Sequence, residues 1–377
     1  MSRDFLLLGY YGRQNTGDDA MLVALVRKLR AWFPSCKLRV TTNHPDLLPP
    51  EVVQASVESV SLSIHALIQG IHKSEAVVLG GGTHFHDLGS KPRYFWLLLR
   101  FAVLFAYARL TVKKVVLVGI GIGPLRTWWS RCLVALILGC SHVVMVRDPD
   151  SLQLARKLGK SMSLLGFDLA VLLESGDNAG RISEYESPIL GINLLPAFDI
   201  YYHAAQRDQE LVEALSEALE GALSGSNRWR IRLIEFKGSM AEGDTTMMGA
   251  LWEALVHRQV SVEKPVFEKD PERMLEIVKG CDAMITMRYH ACLFSFLAEV
   301  PSIWIDYHPK NASLAHDVHL PPKALVPLEV ASDEIADRLL DLLAKPESFV
   351  AESPVHNPST RLHKALAEIE ARSLRNG

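Results

Sequence analysis

The chain has 377 residues, 49% hydrophobic and 22% charged, with 40 basic side chains against 43 acidic ones. One core rarely grows past about 250–300 residues, so two domains are expected, and the apolar fraction excludes wholesale disorder. A formal charge of −3 gives no general pull toward nucleic acid, and no nucleic-acid partner is expected.

The N-terminal half alternates apolar runs with amphipathic segments. Phe5–Gly9 reads as a strand ending in a glycine turn, and Asp18–Phe33 as a helix with Met21, Leu22, Leu25, Val26 and Leu29 at helical spacing. Lys37–Thr42, Glu75–Leu79, Lys114–Val118 and Val143–Val146 read as strands, the last followed by a helix over Asp150–Leu158. The polar stretch Glu174–Glu186 reads as a linker. Beyond it the alternation resumes, with strands at Ile189–Asn193, Trp229–Phe236, Val260–Glu263, Ala283–Thr286 and Ser302–Ile305. Helices are expected at Gln209–Leu223, Thr245–His257, Pro271–Lys279, His290–Glu299 and Ser332–Ala344, with a polar one at Thr360–Arg372.

Strand, glycine turn, helix, repeated, marks a parallel sheet covered on both faces. The expected fold is α/β, with two Rossmann-like domains facing a cleft: residues 1–180 and 187–345, then a C-terminal tail, 346–377. Ligands of such sheets bind at the carboxyl ends of strands.

Two apolar stretches require a membrane test. Tyr94–Val112 carries Arg100 and Arg109, each costing roughly 2.5–3.5 kcal/mol at a bilayer centre. Cys132–Val146 falls short of the ~20 residues a spanning helix needs. The N-terminus lacks a signal-peptide pattern. A cytoplasmic protein is expected, with peripheral docking of the 94–112 face at the inner side of the membrane as the alternative. The five cysteines form no C-x-x-C pair, so neither a disulfide framework nor a structural zinc site is expected.

Four clusters follow strands. Gly9-Tyr10-Tyr11-Gly12-Arg13-Gln14-Asn15-Thr16-Gly17-Asp18 opens a helix, which suits an anion or a structural turn, but it matches neither the dinucleotide fingerprint nor a P-loop. Gly80-Gly81-Gly82-Thr83-His84-Phe85-His86-Asp87 allows close approach of backbone to a ligand. Its two histidines lack a metal-binding spacing, and no metal is expected. Gly119–Pro124 reads as a tight strand-to-loop turn. Met287-Arg288-Tyr289-His290 sets an Arg and a His between a strand and an apolar helix, which packing explains poorly.

Taken in order, these segments resemble the polysaccharide pyruvyl transferases. The matching pieces are Gly9-Tyr10-Tyr11-Gly12…Asn15-x-Gly17-Asp18, Gly80-Gly81-Gly82-Thr83-x-Phe85-x-Asp87 and Gly119-x-Gly121-x-Gly123-Pro124-Leu125. Val146-Arg147-Asp148-x-x-Ser151, Gly166-Phe167-Asp168, Arg288-x-His290 and Pro301…Asp306-Tyr307-x-x-Lys310 complete the series. Tyr289 stands where a Leu is common, and segment 196–208 matches nothing in the family.

The resemblance implies a GT-B-like fold and transfer of pyruvate from phosphoenolpyruvate to sugar hydroxyls as a ketal, in the synthesis of an exopolysaccharide or cell-surface glycan. The acceptor would be a glycan or lipid-linked saccharide, and no cofactor is needed. A carboxylate and a phosphate call for a bidentate cation, the role expected of Arg288, and His290 is the expected proton carrier, since a histidine titrates near ~6.5. Arg147 is a second partner for phosphate charge. Asp168 would orient an Arg or a sugar hydroxyl, or cap a helix. Further substrate-binding positions are Asn15, Gly17, Asp18, Gly81, Gly82, Thr83, Gly121, Tyr289 and Lys310. The competing expectations are a GT-B glycosyltransferase using a nucleotide sugar, and a non-catalytic partner in a polysaccharide assembly complex.

Overall fold

The computed structural model describes residues 3–87, 92–173, 187–223, 229–238 and 243–371. The chain divides into two compact units, one of Met1–Arg13, Asp18–Leu173 and His356–Gly377, the other of Gln14–Gly17 and Glu174–Val355. The expected linker at 174–186 lies outside the described residues.

The first unit is built on β1 (Asp4–Leu8), β2 (Lys37–Thr41), β3 (Glu58–Val60), β4 (Ala76–Gly80), β5 (Thr83–Phe85), β6 (Lys114–Ile122), β7 (Val143–Val146) and β8 (Leu164–Leu165). The order is β3-β2-β1-β4-β6-β7-β8, with β5 alongside β6, and the pairings are parallel. Every residue of β4 is buried, as suits a sheet covered on both faces. Strand order reverses at β1 and β4, the switch point outside whose carboxyl ends such sheets bind ligands. There lie the Gly9 turn and Gly81-Gly82.

The expected turn at Gly119–Pro124 is a correction, because β6 continues through Gly119 and Gly121 to Ile122. Glycine supplies no Cβ here, where one at Gly121 would press on Thr83 Oγ1 and Arg147 Nε at 3.0 and 3.1 Å. Asp87, one of the family-like positions, is architectural. Its carboxylate accepts from Arg126 N (2.6 Å), Thr127 N (2.7 Å), Thr127 Oγ1 (2.7 Å) and Ser130 Oγ (2.8 Å), which starts the helix Trp128–Cys140. Burial alone would raise its pKa, but these four donors hold the carboxyl below the ordinary value.

The apolar stretch near 94–112 forms the helix Pro92–Leu110, which buries Leu98, Ala102, Phe105 and Ala108 and exposes Trp96, Val103 and Leu110. Among the described residues no helix is long and apolar enough to cross a membrane. The C-terminal helix His356–Ile369 is not a separate tail. It buries Leu362, Ala365, Leu366 and Ile369, and Arg361 donates to the Gly166 carbonyl at 2.7 Å, so it belongs to the first unit. Periodicity shows that this helix has an apolar face but not which partner covers it.

The second unit has β9 (Ile189–Asn193), β10 (Arg230–Glu235), β11 (Val266–Phe267), β12 (Ala283–Thr286), β13 (Ser302–Asp306) and β14 (Leu325–Pro327), ordered β11-β10-β9-β12-β13-β14 and parallel. The strand expected at Val260–Glu263 shrinks to one bridge, Ile231 to Val262, and β11 takes the edge instead. Its switch point lies between β9 and β12, whose carboxyl ends are Asn193 and Thr286. Residues 346–355, assigned from sequence to the tail, stay with this unit.

Candidate active site

In the second unit, Arg288 follows β12 and forms the N-cap of the helix Tyr289–Leu297 without a side-chain capping bond. Its backbone N–H donates to Asn193 Oδ1 (3.1 Å), which ties the ends of β9 and β12 together. Its Nε makes a charge-assisted bond to Asp244 Oδ1. The other oxygen of Asp244 accepts from Asn193 Nδ2 (3.0 Å), Phe236 N (2.8 Å) and Lys237 N (3.1 Å). Asp244 is wholly buried, so this ion pair is little screened by solvent. Burial alone would disfavour the cation, but Asp244 beside it keeps the Arg288 pKa above its ordinary value.

His290, two residues on, lies against Gly17, where a Cβ would overlap its ring. Gln14–Gly17 are held to this unit by Thr16 N donating to the Phe236 carbonyl (2.9 Å), Gly238 N donating to the Gln14 carbonyl (2.9 Å), and an antiparallel bridge from Asn15 to Lys237. Lys310 Nζ lies 5.1 Å from the Tyr307 ring centre and 5.9 Å from that of Tyr289. Tyr307 is buried, and burial pushes its phenol well above the usual range. Arg288, Tyr289, His290, Lys310, Asn15 and Gly17 thus fall in one unit.

The first unit gathers the rest. Arg147 at the end of β7 is buried, with Nη2 on Thr83 Oγ1 (2.7 Å), Nη1 on Asp168 Oδ2 (3.2 Å) and Nε 3.5 Å from Asp148 Oδ2. Asp168 fulfils both open readings, because its other oxygen accepts from Ala170 N at 3.0 Å and caps a short 3-10 turn. Gly81 and Gly82 have φ +66° and +77°, a left-handed region that only glycine adopts without strain. A Cβ on Gly82 would meet His84 Nε2 at 3.0 Å and Asp18 Oδ1 at 3.4 Å. Burial, with the neighbouring His86 and Arg147, holds the His84 pKa down at about 4, so the ring is neutral at physiological pH.

Of the two readings of the first glycine turn, an anion site or a structural turn, the electrostatics favour the turn. Asp18 and Asp19 occupy the first turn of the helix Thr16–Trp32, and Gly12 N donates to Asp19 Oδ1 at 3.3 Å. Two carboxylates at a helix start repel a bound anion. Sequence reasoning missed Asp244 and Asn193. Asp244 precedes a helix and reads as a cap, and Asn193 ends an apolar strand, so only its polarity at a strand's carboxyl end signals a role.

Two parallel, doubly wound units define a GT-B-type α/β protein. Solved structures agree at the level of fold. Neisseria meningitidis UDP-GlcNAc 2-epimerase bound to UDP-GlcNAc has a TM-score of 0.61 at 10% identity, covering 97% of this chain and 100% of that one. The S. aureus MnaA–UDP structure scores 0.62 at 10% identity over 98% and 96% of the two chains. Sucrose-phosphate synthase of Thermosynechococcus elongatus scores 0.55 at 13% identity over 98% of each. No curated protein matches the sequence. The sequence model of the polysaccharide pyruvyl transferases matches residues 15–309. The chain belongs to that family, whose activity makes it a transferase of glycan biosynthesis with a glycan acceptor.

Proposed function

We propose that this protein transfers the pyruvyl group of phosphoenolpyruvate to two hydroxyls of a saccharide, forming a ketal and releasing phosphate. The observation that carries the reading is Arg288, fixed by Asn193 and Asp244 at the switch point of the second sheet and next in sequence to a helix start. A guanidinium anchored on a buried carboxylate, with backbone N–H groups of a helix start beside it, suits a small substrate with a carboxylate and a phosphate. Lys310 adds a point charge.

In the reaction the methylene carbon of phosphoenolpyruvate takes a proton and C2 becomes electron-deficient. Two acceptor oxygens bond to C2, the C2–O bond to phosphate breaks with its electron pair leaving on phosphate, and the two hydroxyl protons balance the one taken up by carbon and the one carried off by phosphate. His290 is the proton carrier. The charges of this scheme are met by arginine and lysine, so we propose that neither metal nor redox cofactor takes part and that activity survives EDTA; loss on chelation with rescue by one divalent ion refutes this.

The test is incubation with phosphoenolpyruvate and candidate free or lipid-linked glycans, with mass spectrometry for the pyruvyl increment. Stabilisation by nucleotide sugars and not by phosphoenolpyruvate identifies a glycosyltransferase instead. The exposed Trp96, Val103 and Leu110 are proposed to touch the membrane surface at its cytoplasmic face, where a lipid-linked acceptor would lie. Liposome co-sedimentation that is unchanged by Trp96→Ser rules this out.

A further inference from the structure

Segment 196–208 has no counterpart in the family pattern, yet it follows β9 at the second switch point. It forms the short helix Ala197–Tyr202, pinned by the Asp208 carboxylate, which accepts from Phe198 N (3.0 Å) and Asp199 N (2.8 Å). Phe198 is buried, with the Arg207 guanidinium 4.0 Å above its ring. His203, in the left-handed region, ends the helix.

This scaffold presents Tyr201. Its ring centre is 5.7 Å from that of buried Tyr307, tilted by 39°, and 6.0 Å from that of His308. Yet 37% of Tyr201 stays exposed. The same Tyr307 ring has Lys310 Nζ 5.1 Å from its centre. A partly exposed aromatic ring is a stacking surface, and this one packs on the Tyr307 ring that Lys310 approaches.

We propose that the exposed part of the Tyr201 ring is the stacking platform for a pyranose ring of the acceptor saccharide. The inference rests on the pyruvyl-transfer reading in one respect: the ring whose hydroxyls attack C2 must lie beside the group that holds phosphoenolpyruvate. A pyranose carries C–H groups on one face and hydroxyls at its rim. Tyr201 supplies an apolar surface for the first, while Lys310, beside the neighbouring Tyr307 ring, is the nearby charge for the second.

Saturation-transfer NMR with methyl pyranosides of glucose, galactose and mannose measures binding without turnover, so it is independent of the donor's identity. Wild type and Tyr201→Phe should bind at least one pyranoside, because the face and not the hydroxyl is required. Tyr201→Ala and Tyr201→Leu should weaken binding about 3–10-fold, the range of aromatic stacking, and Tyr202→Ala, altering the more exposed neighbour, should leave it unchanged. The Leu variant preserves bulk if the Ala variant fails to fold. In turnover the acceptor KM should rise by the same factor with the phosphoenolpyruvate KM constant. Unaltered binding in the Ala and Leu variants, no pyranoside bound by wild type, or uridine bound in place of the sugars overturns the proposal. Absence of pyruvyl transfer alongside intact Tyr201-dependent sugar binding refutes the donor reading and leaves the platform standing.

Discussion

The imidazole of His290 lies against the α-carbon of Gly17, so closely that a Cβ there would overlap the ring. Glycine is otherwise a poor choice near the start of the helix Thr16–Trp32, since Ala is preferred inside helices by about 1 kcal/mol. The glycine is retained for the room it leaves the histidine.

Gly17→Ala should therefore displace His290, with an overpacking cost of about 1–3 kcal/mol. Because the methyl group has no strained φ to adopt, its main effect is on the ring. The expected outcome is a fall in kcat of about 10²–10⁴-fold, the usual worth of a positioned acid/base, in a protein that still folds. Wild-type kcat in this variant removes His290 from the chemistry.

Arg288→Lys tests the fork. Lysine keeps the charge beside Asp244 but does not reproduce the planar, multi-donor guanidinium. A loss of roughly 2–5 kcal/mol in transition-state stabilisation is expected, read as kcat/KM. Arg288→Ala is the harsher variant, since it strands the buried Asp244 carboxylate and should also lower the denaturation midpoint. Unchanged kcat/KM in the Lys variant sinks the assignment.

For His290→Gln, hydrogen bonding is kept and the capacity to carry a proton is lost. Phosphoenolpyruvate affinity should stay within about tenfold of wild type while kcat drops about 10²–10⁴-fold. Weakened affinity with kcat nearly constant would make His290 a substrate ligand and no acid/base.

His84 makes a pH prediction. Its folded pKa is about 4, below the ordinary ~6.5 of an unfolded histidine. Between those values the unfolded chain binds a proton that the folded chain refuses. The stability linked to this group is therefore full above pH ~6.5, declines as pH falls toward 4, and levels off below, by about 3 kcal/mol in total. His84→Gln should flatten the acid limb of the stability–pH curve over that window. Parallel curves, or an NMR titration of His84 near 6.5, contradict it.

Much of the architecture was legible beforehand. Val143–Val146, Ile189–Asn193, Thr245–His257, Pro271–Lys279 and Ala283–Thr286 begin and end where patterning places them, because buried parallel strands read as apolar runs and caps mark helix ends. Short edge elements such as β3 and β14 were not legible, since two or three residues carry no period.

The sequence by itself determined the order of motifs, and hence the family, together with Arg288, His290 and Arg147 as the charged residues at strand ends. Only the tertiary structure decided what holds them. Asp244 reaches Arg288 across 44 positions and Asp168 reaches Arg147 across 21, and neither separation follows a helical or strand period. It decided too that Asp87 builds a helix start and that Tyr201 stands beside Tyr307. Such pairings arise when a parallel sheet brings the carboxyl ends of distant strands to one edge, and local spacing has no term for that.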